Sequence, residues 1–143
     1  PYGLNYGEIN EVSKINRNDK FELYHTSLIM YNPLIETIEI DKTISGLDIL
    51  PTIYNLFGIN YDSRLFMGKD IFSKEESMVI LSDRSWITDY GRYNSVSGEF
   101  TKTTTIDLDE EKYIEEINNE INQKFAISSS ILDNDYYSKV VIQ

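Results

Sequence analysis

The stretch Thr43 to Ile59, TISGLDILPTIYNLFGI, constrains the fold more than any other part of the chain. A proline inside an apolar run ends a helix unless it sits in the first turn, where its missing N–H has no intrahelical acceptor to lose. Asp48 precedes Pro51 by three residues and is suited to cap the helix by accepting from free first-turn N–H groups. The spacing predicts a helix from Asp48 to about Phe57, with Leu47, Leu50, Ile53, Tyr54 and Phe57 on one buried face. Gly58 comes next as the left-handed residue that ends it. On these features alone the segment is a structural helix.

Around it the pattern is mixed. Ile9, Val12 and Ile15 fall at helical spacing and predict a short helix from about Asn5 to Ile15. FELYHTSLIMYNP predicts a strand over Ser27 to Tyr31, stopped at Asn32-Pro33. ETIEID alternates polar and apolar residues and predicts a second strand, antiparallel to the first across a short turn. YDSRLFMGKDIFSKEES reads as a loop turning at Gly68, and MVILSD as a buried strand. From Arg84 to Thr105 a run rich in Tyr, Trp, Val and Thr, punctuated by glycines, predicts a β-meander with a hairpin turn near Ser97-Gly98. Ile114, Ile117, Ile121 and Phe125 then set a helix from about Asp109 to Lys124, with DLDEE at its positive end and a second helix around Ser128 to Val140.

The fold class expected is therefore α/β in the sense of an α+β fragment: a small, mostly antiparallel sheet with flanking helices. The length, 143 residues, suits one domain. A formal net charge of −11 repels polyanions, so nucleic acid is not an expected partner and an anionic lipid surface is disfavoured. There is no cysteine, which rules out a disulfide framework and thiolate metal sites but says nothing about compartment. No run of apolar residues is long enough to span a bilayer, and PYGLNYGEINEV lacks the order of a signal peptide. A start at Pro1 suggests a piece of something longer.

Few residues announce chemistry. His25, the single histidine, suits a metal or a phosphate if it lines a strand entrance, and a structural role otherwise. Asp107, Asp109, Glu110 and Glu111 read as a solvated first turn. Asp133 and Asp135 in DNDYY lack the further oxygen ligands of a calcium site. Trp86, Tyr90, Tyr93 and Phe100 suit stacking on a sugar or glycerol-type head group, but in a meander such residues more often pack across strands or onto a helix. No nucleophile elbow, phosphate-cradling loop or HExxH helix is present.

Taken in order, SLIMYNP, SGLDILPTIYNLFGI and LFMGKDIFS resemble segments of the lipoteichoic acid synthase family, phosphoglycerol transferases of the alkaline phosphatase and sulfatase superfamily. PYGL at residues 1 to 4 resembles the segment immediately after that family's Gly-Asp-His metal motif. The resemblance covers residues 1 to 95 well and the last helices more loosely. It implies the C-terminal portion of a sulfatase-like catalytic domain, with residues 1–82 ending the α/β core and 83–143 forming the meander and C-terminal helices. It also implies a divalent cation, typically manganese, and a threonine nucleophile that takes glycerol phosphate from phosphatidylglycerol and passes it to a growing polymer. By that resemblance the nucleophile, a glutamate ligand and the Asp-His pair all precede Pro1, so no catalytic residue or metal ligand maps onto this chain. The 143 residues are expected to be inactive alone and to bind manganese weakly or not at all. Their expected partners are the upstream part of the same polypeptide and a glycerophospholipid head group, at the extracytoplasmic face of a bacterial membrane, anchored by segments outside this sequence. Tyr2 is implied to lie near the metal site, and Tyr2 and His25 are the substrate-contact candidates. Two other readings remain open: a sulfatase or phosphatase of the same superfamily, and a non-catalytic acidic interaction module.

Overall fold

The computed structural model describes residues 5–14, 19–23 and 25–140. It is a mixed α and β structure with a four-stranded antiparallel sheet and several helices. The chain divides into two compact units, residues 1–39 and 40–143.

In the first unit, helix α1 (Tyr6–Ser13) starts at a capping box. Asn5 Oδ1 accepts from Glu8 N (3.1 Å) while Glu8 Oε2 accepts from Asn5 N (2.8 Å), so two donors without helical acceptors are satisfied reciprocally. Ile9 is buried but Val12 is exposed, and Ile15 lies outside the described residues. A single turn, α2 (Lys20–Leu23), comes next, with Asp19 Oδ1 accepting from Phe21 N at 2.6 Å.

The two strands expected over 27–31 and 37–40 do not form. Residues 25–40 hold no helix or strand but a turn at 33–35, where Asn32 accepts from Leu34 N through its side chain (2.9 Å) and from Ile35 N through its carbonyl (3.3 Å). The physical reason lies in the composition of SLIMY. Consecutive apolar residues suit a strand covered on both faces, and a lone two-stranded hairpin has neither cover nor independent stability. Ile29, Tyr31, Leu34 and Ile38 are accordingly exposed.

In the second unit, a 3₁₀ turn (Gly46–Asp48) leads into α3 (Ile49–Leu56). The sequence places this helix correctly but misassigns its cap and its buried side. Ser45, not Asp48, is the capping residue, and Asp48 is already helical with no bond to the N–H groups of α3. Asp48, Pro51 and Thr52 are the buried side, whereas Leu47, Leu50 and Phe57 face outward. The C-terminus behaves as expected. Gly58 has φ +63°, Ile59 N donates to Tyr54 O (2.8 Å) and Gly58 N to Asn55 O (3.0 Å), the paired bonds of a Schellman end.

The sheet runs β1 (Met78–Ile80), β2 (Trp86–Thr88), β3 (Gly91–Asn94) and β4 (Glu99–Lys102), each strand paired antiparallel with the next. Ile80 opposes Trp86, Trp86 opposes Tyr93, and Tyr93 opposes Phe100, so one row of large side chains crosses all four strands. The β3–β4 turn closes where expected, with Gly98 at φ +73° and its N–H donating to Asn94 O (2.8 Å). The two predicted C-terminal helices are instead one long helix, α4 (Glu110–Asp133), and a short α5 (Tyr136–Val140). No glycine or proline interrupts residues 110–133, so nothing in the backbone stops the helix at Lys124.

Asp109 caps α4 by accepting from Lys112 N (3.2 Å). Ile117 and Ile121, one turn apart, join Trp86 to form the core, with Met78, Ile80, Tyr93, Phe100, Tyr113 and Ile114 packed around it. Trp86 is fully buried and stacks on Tyr93 at 5.5 Å. Its indole N–H donates to Asn118 Oδ1 (3.0 Å), which fixes the helix against the sheet. Arg84, in the left-handed region at φ +65°, reaches α4 as well, donating to Asn122 Oδ1 (2.8 Å) and lying 5.1 Å above the Phe125 ring. The aromatic residues of the meander are thus largely packing residues, as the more common of the two sequence readings has it.

Tyr113 donates from its hydroxyl to Thr88 Oγ1 (2.8 Å), and burial pushes its pKa above the ordinary 10.0. A tyrosine whose folded pKa is raised contributes stability that is fully present below its unfolded pKa and is lost as pH rises through the folded value. Stability is therefore expected to decline from about pH 10 upward, and Tyr113→Phe to flatten part of that decline. Urea midpoints measured across the alkaline range check this; an identical slope in the variant would assign the effect to other groups.

Candidate functional site

The feature with the most structure behind it is a polar clamp that joins two of the motifs singled out in the sequence. Asp48 is its centre. Its Oδ2 accepts from Ser45 N (2.7 Å) and Ser45 Oγ (3.0 Å), and its Oδ1 reaches across the fold to Lys69 N (2.7 Å). Thr52, one turn on, donates from Oγ1 to Asp48 O (2.6 Å) and accepts from Ile71 N (3.0 Å). Asn55, a further turn along, donates to Asp70 Oδ2 (2.7 Å). Asp48, Thr52 and Asn55 thus form a polar stripe against the GKDI loop, the first two accepting from its backbone at Lys69 and Ile71 and the third donating to the Asp70 carboxylate.

Gly68 is required by that closeness. A Cβ at this position would fall on the carbonyl group of Leu47 and within 2.7 Å of Asp48 N. The segments SGLDILPT and GKDI are therefore two halves of one device, with glycine at the point where two backbones touch. Composition hid this arrangement. The Ser45-x-x-Asp48 spacing is that of a capping box, and it is the signal from which the reassigned cap could have been read.

Beside the clamp lies a shallow depression lined in part by Lys42, Thr43, Asp48, Lys69, Glu76 and Ser77. It encloses only about 10 Å³, far below the ~300–1,000 Å³ of typical small-molecule sites. Both of its cations are engaged with the loop. Lys42 Nζ donates to Ser73 O (3.1 Å) and Glu75 O (2.8 Å), and Lys69 Nζ donates to Glu76 O (3.2 Å) beside the Glu75 carboxylate. The depression serves to hold the loop and is not shaped as a phosphate pocket.

Of the substrate-contact candidates, Tyr2 lies outside the described residues. His25 comes after α2 instead of entering a strand, and its side chain is exposed, with Nδ1 3.7 Å from the Glu22 carboxylate. Among the described residues no three His, Asp or Glu side chains converge as metal ligands. Nor is any helix among them long and apolar enough to cross a membrane.

No family model matches the chain, and no solved structure matches it. A curated protein does. The chain is similar to lipoteichoic acid synthase 2 of Bacillus subtilis (strain 168). The two are 25% identical over 142 residues. The match takes in 94% of this chain and 22% of lipoteichoic acid synthase 2, so the chain spans about a fifth of that protein's length. An alignment covering that much of the chain necessarily includes the clamp and the meander. The match to lipoteichoic acid synthase 2 thus extends along most of the chain.

Proposed function

We propose that this chain is the C-terminal portion of a lipoteichoic acid synthase-like phosphoglycerol transferase, and that it supplies scaffold to the catalytic domain of a longer polypeptide. The observation that carries the reading is the near end-to-end likeness to lipoteichoic acid synthase 2. The clamp supports it from the structural side. Two of the motifs of the resemblance, SGLDILPT and GKDI, are bonded to each other through Asp48 and Thr52, which gives their order and separation a physical reason.

On this reading the nucleophile and the ligands of a divalent cation, expected to be manganese, belong to residues upstream of Pro1. The cation would polarise the phosphoryl group and favour attack by a threonine hydroxyl on the head group of phosphatidylglycerol. The present residues hold the loop and helix on which such a site would rest. The parent polypeptide would work at the extracytoplasmic face of a bacterial membrane, held there by segments outside this sequence.

The test uses two preparations. With manganese and a phosphatidylglycerol analogue, the polypeptide carrying the upstream residues is expected to release diacylglycerol, and the 143-residue chain alone to give no turnover above a metal-free blank. Turnover by the short chain would overturn the placement of the active site. Hydrolysis of a sulfate ester by the longer polypeptide, with the phospholipid untouched, would replace the transferase reading by a sulfatase.

A further inference from the structure

We infer that the outward face of the segment around α3, centred on Leu47, Leu50 and Phe57, is a docking surface for the upstream catalytic body of the same polypeptide; this rests on the fragment reading just given.

The inference starts from a helix that is inside out. Leu47 is 55% exposed, Leu50 47% and Phe57 77%, while the buried positions on the other side are Asp48, Pro51 and Thr52. An amphipathic helix at a protein surface normally turns its apolar stripe inward. Here it cannot roll to do so. Asp48 is tied to Lys69 N, Thr52 to Ile71 N and Asn55 to Asp70, so any rotation that hid Leu50 would break the clamp and strand buried polar groups. The fold holds its polar stripe against the loop and presents the apolar one.

The possible covers differ in how well they fit. A lipid surface is disfavoured because interfacial helices flank their apolar face with Lys and Arg. Residues 45–59 contain neither, and the chain carries a net charge of −11. A second copy is disfavoured by size. Residues 47–57, which carry the face, make an area on the order of 200 Å², from a rise of ~1.5 Å per residue and a diameter of ~10 Å. A stable interface between separate proteins buries roughly 800 Å² on each side. A cover on the same polypeptide needs no such area, because linkage makes docking intramolecular at a high effective concentration. The similar protein supplies room for such a cover: the match occupies 22% of it.

The absence of cysteine makes the test clean. Leu50→Cys and Phe57→Cys are placed on the face, with Leu132→Cys on the exposed end of α4 as a reference, and maleimide labelling rates are measured in the 143-residue chain and in the polypeptide that carries the upstream residues, freed of any native cysteines. In the short chain all three thiols are expected to react at similar rates. In the longer polypeptide the two on the face are expected to slow by about tenfold or more, because labelling then waits on local opening, while the reference is unchanged. Equal rates in both preparations would overturn the inference. So would protection in the short chain that grows with its own concentration, which marks a second copy, or protection that appears only with vesicles, which marks a membrane. Protection in a longer polypeptide that fails the diacylglycerol assay would leave the docking surface standing and remove only the transferase reading.

Discussion

Trp86→Ala is expected to cost about 3–5 kcal/mol of folding free energy, the range for removing a large aromatic side chain from a packed core. Trp86 is fully buried at the meeting point of the sheet and α4, with Tyr93, Phe100 and Tyr113 rings 5.5–5.8 Å away and its N–H bonded to Asn118. Its loss opens a cavity that the other three strands and α4 cannot close without moving the row Ile80–Trp86–Tyr93–Phe100 out of register. Domains of this size are stable by about 5–15 kcal/mol, so the variant is expected to be largely unfolded at modest urea concentrations. Far-ultraviolet circular dichroism during urea titration reads the result. An unchanged midpoint would show that the stability of this half does not pass through Trp86.

Gly68→Ala is expected to cost close to 3 kcal/mol, the upper end of the range for overpacking, because the new methyl meets backbone and not a side chain able to swing away. Gly46→Ala is the control. It lies one residue from the same clamp, yet a Cβ there meets nothing within 4 Å, so its stability is expected to stay within about 0.5 kcal/mol of the parent. Equal behaviour of the two variants in thermal or urea unfolding would mean that the loop at Gly68 can back away from Leu47, and that the clamp holds less firmly than its hydrogen bonds indicate.

The sequence discloses the meander and α4 well because both are local. Alternating large residues in 84–105 and the Ile114–Ile117–Ile121 spacing each find their partners within a few tens of residues. It discloses residues 25–40 poorly, because a strand is defined by its neighbour and SLIMY has none among the described residues. The helix at 49–56 falls between these cases. Its existence and its end at Gly58 come from proline and glycine chemistry, whereas its orientation depends on Lys69 and Ile71, which nothing in the local pattern of Thr43 to Ile59 can signal. Hydrophobic spacing shows which face is to be covered; hydrogen bonds decide whether this chain is the one that covers it. For the candidate site the limit is different: Tyr2 and His25 are drawn from the family resemblance and from rarity; Tyr2 lies outside the described residues, and His25 is exposed with its Nδ1 3.7 Å from the Glu22 carboxylate.

The order β1-β2-β3-β4, in which every strand pairs with the next along the chain, has a kinetic consequence. Each pairing closes only a short loop, so the entropy of bringing distant segments together is small, and α4 then folds back over strands that immediately precede it. Such a meander can assemble early and by itself. During refolding it would form a nucleus at the carboxyl end, on millisecond timescales typical of locally connected α and β structures, while the apolar segments before it wait for slower, long-range partners. The interval between those two events is when Leu50, Phe57 and the SLIMY segment are most available to other chains, so aggregation during refolding is expected to be set by the first half of the sequence and not by its aromatic second half.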